Sequence, residues 1–263
     1  MNIGLIIVGD EILSGKRQDK HLAKVIELLS ARGLALSWAR YVGDDRPRIT
    51  AALGDAFASG DLVFSCGGIG ATPDDHTRQC AAAALGVELA LHPEAAQLIR
   101  DRIRDQAAEQ GVPHDPERAD NLHRLNMGVF PVGASVIPNP FNRIAGFNVA
   151  HVHFVPGFPV MAWPMIEWVL DHRYAHLHGG ARSVERSVIV FGAMEATLTP
   201  LMEEVEAGHP GVKVFSLPSV DHAEYGRHIE LGVKGSRDPV EAYRALRAGL
   251  EKVGASLGPE LVR

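Results

Sequence analysis

At 263 residues with 46% hydrophobic content, the chain can bury either one large core or a medium domain plus a small one. A formal net charge of −6 argues against sequence-independent nucleic-acid binding, which depends on Lys and Arg neutralising phosphates. The two cysteines, Cys66 and Cys80, are too few for a disulfide framework and predict reduced thiols in a cytoplasmic protein.

The N-terminus has no basic leader and no cleavage site, so residues 3–8 read as a first strand and not a signal peptide. No apolar run approaches the roughly 20 residues a membrane span needs. The near-continuous apolar character of 3–8 suits a central parallel strand covered on both faces. Leu22, Val25, Ile26 and Leu29 then fall at helical spacing, with Gly33 beyond them. Residues 34–42 read as a second strand, 48–58 as a helix, and 62–66 as a third strand. These repeated βα units with short joints predict a doubly wound, mostly parallel sheet.

After the third strand come Gly67, Gly68 and Gly70, then Ala71-Thr72-Pro73-Asp74-Asp75. Thr72 reads as a helix N-cap, Pro73 as the first helical residue and Asp75 as the third. Further helices are expected from Pro93 and over 118–125. Residues 129–147 read as an ordered loop containing Ile137-Pro138-Asn139-Pro140, and 146–155 as one strand stopped by Pro156-Gly157-Phe158-Pro159. A helix follows to about Leu170. Residues 172–181, with Gly179-Gly180, read as a joint between a first domain (1–175) and a second (182–263). In the second, strands are expected over 187–191, 212–217 and 226–234, and helices over 199–206 and 238–253. Asp238-Pro239-Val240-Glu241 carries the pattern of a capped helix start.

Open α/β sheets bind ligands beyond the carboxyl ends of their strands. Four such ends here carry Gly with an acid or Pro: Gly9-Asp10-Glu11, Gly43-Asp44-Asp45, Gly67 to Asp75, and Pro156-Gly157. Gly and Asp also serve as ordinary turn and cap residues. Three glycines within four positions exceed what a tight turn needs, and expose main-chain N–H groups to an anion. No Gly-Lys-Ser/Thr follows, which excludes a P-loop, and no third glycine is spaced for a dinucleotide fingerprint. Asp74 and Asp75 add affinity for a divalent cation beside the phosphate, or merely complement a helix dipole.

Thirteen histidines are present. His151 and His153 alternate on one strand but lack a further ligand at metal spacing, so they read as structural. Trp163 and Trp168 read as packing or an oligomer face. Gly208-His209-Pro210-Gly211 has the spacing of an RNA-binding loop, but it lies between a helix and a strand, in a segment with ten Lys/Arg against twelve Asp/Glu.

Val8-Gly9-Asp10-Glu11-Ile12-Leu13-Ser14-Gly15, Gly67 to Asp75, Ile137-Pro138-Asn139-Pro140 and Val155-Pro156-Gly157-Phe158-Pro159 occur in one order. Together they resemble the competence/damage-inducible protein A (CinA) family, whose main domain belongs to the molybdopterin-binding (MoaB/MogA-like) superfamily. The resemblance implies a three-layer α/β/α domain over about residues 1–170, followed by a small α+β, KH-like domain. It implies a hydrolase: a pyrophosphatase dependent on Mg, Mn or Co that splits ADP-ribose into AMP and ribose 5-phosphate. More distant superfamily members bind and adenylylate molybdopterin, and a non-catalytic nucleotide-binding module is a further reading.

By motif position Asp75 and Asp10 are the expected catalytic acids. Asp75, Asp10, Glu11 and Asp74 are the expected metal ligands. Gly67, Gly68, Gly70, Thr72, Asp44, Asn139, Pro156 and Gly157 are the expected contacts to a nucleotide or pterin ligand. A homo-oligomer is expected from the resemblance. Longer family members carry a nicotinamide-nucleotide deamidase domain, and that activity is not expected of these 263 residues. The chain departs from the family pattern at Ile69, at Ala71, over 141–146 and at Val160-Met161, so its individuality is expected in the rim of the site.

Overall fold

The computed structural model describes residues 2–179, 184–235 and 237–263. The chain falls into two compact units, Met1–His178 and Gly179–Arg263. The expected joint over 172–181 runs into residues 180–183, and these lie outside the described residues, as does position 182.

The first unit is a three-layer α/β/α domain. Its six-stranded sheet has the order β2-β1-β3-β8-β7-β6, with β1 Ile3–Val8, β2 Trp38–Val42, β3 Leu62–Cys66, β6 Ser135–Ile137, β7 Gly146–Val149 and β8 Val152–Val155. The first four in that order run parallel, and β7 and β6 add an antiparallel edge. Alternation along β1 divides the core. Leu5 and Ile7 pack with Val25, Leu29, Phe64 and Val169 on one face; Ile6 and Val8 pack with Ile49, Leu53, Val63 and Phe154 on the other. The first face is covered by α2 (His21–Ser30) and α7 (Pro159–Arg173), the second by α3 (Arg46–Ser59) and α4 (Thr77–Leu85). Every residue of β3 is buried, as a central parallel strand requires.

A short helix α1 (Asp10–Leu13) follows β1 directly. A two-stranded antiparallel ribbon joins β4 (Leu89–Leu91) to β5 (Val129–Pro131) around α5 (Pro93–Glu109) and α6 (Ala119–Arg124). Trp163 and Trp168 are partly buried against the first face, in keeping with packing.

Four expectations change. The second strand begins at Trp38, not at residue 34. The single strand over 146–155 is a hairpin: Ala150 adopts a left-handed φ of 50° and reverses the chain between Val149 and Val152. The loop over 129–147 contains β5 and β6. The helix after the glycine loop begins at Thr77, so Thr72 and Pro73 lie outside it.

The second unit is a four-stranded antiparallel sheet of order β10-β11-β9-β12, with β9 Val184–Phe191, β10 Val212–His222, β11 Gly226–Gly235 and β12 Ser256–Val262. Helices α8 (Glu195–Gly208) and α9 (Val240–Lys252) supply Leu198, Val205, Leu246 and Leu250 to its core. β12 is absent from the sequence reading. The Asp238 carboxylate does not cap α9; it accepts hydrogen bonds from Arg186 Nε and Nη2 at 2.5 and 2.6 Å.

Candidate functional site

The carboxyl ends of β1, β3 and β8 open onto a cavity of about 710 Å³. Its floor is the glycine loop. Gly67 and Gly68 hold φ of 104° and 69°, conformations a side chain would strain. A Cβ on Gly67 would strike the Val8 carbonyl, and one on Gly68 the Thr77 hydroxyl. The loop is pinned from below by the first residue of α4. The fully buried Thr77 donates its hydroxyl to the Gly67 carbonyl and its N–H to the Gly68 carbonyl, both at 3.0 Å. Gly67 N–H donates to the Val155 carbonyl at 3.0 Å. Among the described residues, the N–H groups of Gly68, Ile69, Gly70 and Ala71 have no acceptor. Four consecutive free amides around left-handed glycines are the kind of concavity in which main-chain N–H groups can meet an anion.

The β8 loop closes the opposite side. Gly157 lies against Gly67, with its own Cβ position 3.4 Å from the Gly67 Cα. Its carbonyl accepts a hydrogen bond from Nε2 of buried His21 at 3.0 Å, fixing this loop to α2. Pro156 and Gly157 both border the cavity.

The acids sit on one rim. Glu11, Asp44, Asp74 and Asp75 line the cavity; Asp10 does not. Asp10 Oδ1 accepts from the Asp44 amide at 3.1 Å, and Asp44 Oδ2 accepts from the Asp10 amide at 2.8 Å. This reciprocal pair locks the β1 and β2 loops together. Burial raises the Asp44 pKa above the usual carboxylate range; repulsion from Asp10, Glu11 and Asp74 adds to it, against the hydrogen bond from the Asp10 amide.

Asp74 and Asp75 meet at Thr72. The Thr72 hydroxyl lies 2.5 Å from Asp74 Oδ1 and 2.6 Å from Asp75 Oδ2, and the Thr72 amide donates to Asp75 Oδ2 at 2.9 Å. The hydroxyl bond holds the Asp74 pKa below its ordinary value. Asp75 thus turns back on Thr72 and closes a turn, instead of serving as the third residue of a helix. One hydroxyl hydrogen cannot serve both carboxylates at once.

Among the described residues no three His, Cys, Asp or Glu side chains form a ready-made metal cage. His153, the buried member of the histidine pair, hydrogen-bonds Tyr174 Oη at 2.8 Å, and His151 the Ala56 carbonyl at 3.0 Å; both are structural. The acidic rim nevertheless has the chemistry of a hard-cation site completed by a ligand. Its oxygens repel one another and share too few hydrogens, and Mg²⁺ is commonly held by one or two carboxylates plus substrate phosphates. Glu11, Asp74 and Asp75 border the cavity, so one or two of them could offer oxygens to such a cation, while Asp10 reaches it only through Asp44.

Asn139 is buried away from the cavity. Its amide donates to Asn142 Oδ1 and the Ile144 carbonyl, at 2.8 and 3.0 Å, and its Oδ1 accepts from the Phe141 amide. It shapes the loop from which Asn142 and Ile144 line the cavity. Arg143 in that loop has a left-handed φ of 64° and is tied to Asp105 at 2.7 Å.

Several residues carry no sequence motif. Arg17 and Lys20 add two cations to the cavity lining, and the Arg17 guanidinium lies 5.9 Å from the centroid of the half-exposed Phe158 ring. Arg78 is 4% exposed and donates to the carbonyls of Asn126 and Gly70. Burial lowers its pKa, with Asp75 partly restoring it. The one available signal for Arg78 is a charged residue at the start of a short, alanine-rich helix, where it needs buried partners.

The pattern of the family described as Probable molybdopterin binding domain matches residues 4–176. The chain belongs to that family. A CinA-like protein of Syntrophotalea carbinolica is 31% identical over 217 residues, covering 78% of this chain and 50% of the relative. A CinA-like protein of Geobacter sulfurreducens is 31% identical, covering all of this chain and 61% of the relative. A protein of Pyrobaculum calidifontis is 30% identical and matches nearly end to end, covering 95% and 93% of the two chains. The chain spans about half the length of most of the CinA-like relatives it matches. The crystal structure of the protein CinA from Thermoplasma acidophilum, described as of unknown function, superposes with a TM-score of 0.54 at 27% identity, covering 65% of this chain and 98% of that one. No described helix is long and apolar enough to cross a membrane.

Proposed function

We propose that the first unit binds a phosphorylated pterin or adenine-type nucleotide, with the phosphate on the amides of Gly68 to Ala71. The observation that carries this reading is the run of four unpartnered amides on residues that line a 710 Å³ cavity. Such a cavity accommodates a planar ring with its phosphate tail. Phe158 offers a face for the ring, Arg17 and Lys20 complement a second anionic group, and the domain family supports a molybdopterin-class ligand. The test is a binding panel of AMP, ADP-ribose and molybdopterin, together with fluorescence of the purified protein for a co-purified pterin. Binding of any of the three with micromolar affinity supports the reading. No binding by all three, with or without Mg²⁺, refutes it.

A second reading, favoured by the acidic rim, is hydrolysis of a nucleoside diphosphate sugar such as ADP-ribose. A bound divalent cation would neutralise phosphate charge and acidify a water. The loop amides would hold the pyrophosphate and stabilise charge as it develops. Asp75, fixed by Thr72, would orient the attacking water, and Glu11 and Asp74 would complete the cation's oxygen set. Asp75→Asn is then expected to abolish AMP release from ADP-ribose while nucleotide binding persists. Wild-type protein that binds ADP-ribose but releases no AMP with Mg²⁺, Mn²⁺ or Co²⁺ leaves binding as the function.

A further inference from the structure

Ala71, Thr72 and Asp75 form a wall with two faces. Behind it lies a second cavity of about 300 Å³, whose lining includes Arg46, His76, Arg78 and Gln79. Its charge is unbalanced. Arg78 is buried, its guanidinium meets only the carbonyls of Asn126 and Gly70, and its Nε has no partner. Among the described residues, neither the Arg46 nor the His76 side chain engages a hydrogen bond or ion pair. The single acid on this wall, Asp75, is already committed to Thr72. Two guanidinium groups, Arg46 and Arg78, border a cavity with that one acid, which only partly offsets the Arg78 charge, and a small anion is the group that would balance the remainder.

We infer that this second cavity is a binding site for a phosphate group, either inorganic phosphate or the phosphate end of a small monoester. Arg46 and His76 donate to its oxygens, and the buried Arg78 charge holds it from behind. Guanidinium groups suit phosphate oxygens through charge-assisted hydrogen bonds. At about 300 Å³ the cavity has room for a phosphate carrying a short sugar. The site stands apart from the ligand of the main cavity, because it shares only the dividing wall.

The experiment is calorimetric titration of the full chain, free of added metal, with inorganic phosphate and with ribose 5-phosphate. Arg46→Gln and His76→Gln are each expected to weaken binding of both probes by about tenfold, the usual loss for one charge-assisted bond. Arg100→Gln, which borders neither cavity, is expected to leave it unchanged. Tighter binding of ribose 5-phosphate than of phosphate identifies a monoester as the occupant, and equal binding identifies the free ion. Arg46 is exposed, so its variant is expected to fold, which circular dichroism checks. Equal phosphate affinity in wild type and both cavity variants, or no heat at millimolar phosphate, overturns the inference. Either result leaves the AMP and pterin panel of the main cavity unaffected.

Discussion

His153 couples the stability of the first unit to pH. Its ring is fully buried on β8, 5.5 Å from the Phe64 ring and 5.3 Å from Tyr174, and its Nδ1 has no partner. Burial pushes its pKa down from 6.5 to about 3, helped by the Arg173 charge and then His151. The unfolded chain therefore binds a proton that the folded chain refuses. Stability from this residue is intact above the unfolded value and is lost as pH falls from about 6.5 toward 3. At pH 5 the unfolded imidazole gains about 1.5 pH units of protonation free energy, or about 2 kcal/mol, and the folded one gains almost none. Replacing His153 with Phe removes that slope. All three tryptophans, Trp38, Trp163 and Trp168, lie in the first unit, so urea unfolding followed by tryptophan fluorescence reads it alone. Between pH 7.5 and pH 5 the wild type is expected to lose about 2 kcal/mol more than His153→Phe. The same loss in both proteins refutes the assignment of a neutral, buried imidazole.

Thr77→Val keeps the shape beneath the glycine loop but leaves the Gly67 carbonyl without its hydroxyl donor. It is expected to cost about 1–3 kcal/mol in urea unfolding and to weaken AMP binding as the loop loses its support. Ala150→Gly removes the side chain from a left-handed turn residue and is expected to stabilise by about 1 kcal/mol, read as a higher midpoint in thermal unfolding. Arg32→Ala breaks a partly exposed ion pair with Asp171 that joins the turn after α2 to α7, and is expected to cost about 1 kcal/mol or less at neutral pH. The Arg32 hydrogen bond holds the Asp171 pKa down, so that stabilisation is expected to fade as pH drops below about 4, which acid titration of the variant and wild type compares.

The central strands were legible because their chemistry is one-sided. Residues 3–8 are apolar throughout and 62–66 are apolar but for Ser65, and short runs of this kind bounded by turn residues suit a strand covered on both faces. The start of α4 was not legible. Thr72 to Asp75 has the same composition whether it caps a helix or closes a turn. What decides between them is the Asp75 carboxylate folding back on Thr72, with the Asp75 amide donating to the Thr72 carbonyl. The β7–β8 hairpin was hidden because Ala150 takes a conformation usually advertised by Gly or Asn. β12 was hidden because Gly258 and Pro259 interrupt its alternation; the strand tolerates them at a register shift on the sheet edge.

In the site, the glycine loop and the acids beside it were legible from spacing, because backbone chemistry there depends on residue type. The cations were not. Arg17 and Lys20 come from a loop with no motif, and Arg78 from a helix face, so only the folded chain brings them to the two cavities. Asn139 was expected to contact the ligand; its amide instead holds a loop together and does not border the cavity.

The central claim is that the amides of Gly68, Ile69, Gly70 and Ala71 hold a phosphate. The most direct measurement is a ¹⁵N–¹H correlation spectrum of the full chain titrated with ADP-ribose and with AMP. The expected result is that these four resonances move together, downfield in the proton dimension, with a single saturating isotherm. Saturable binding that leaves all four unmoved would contradict it.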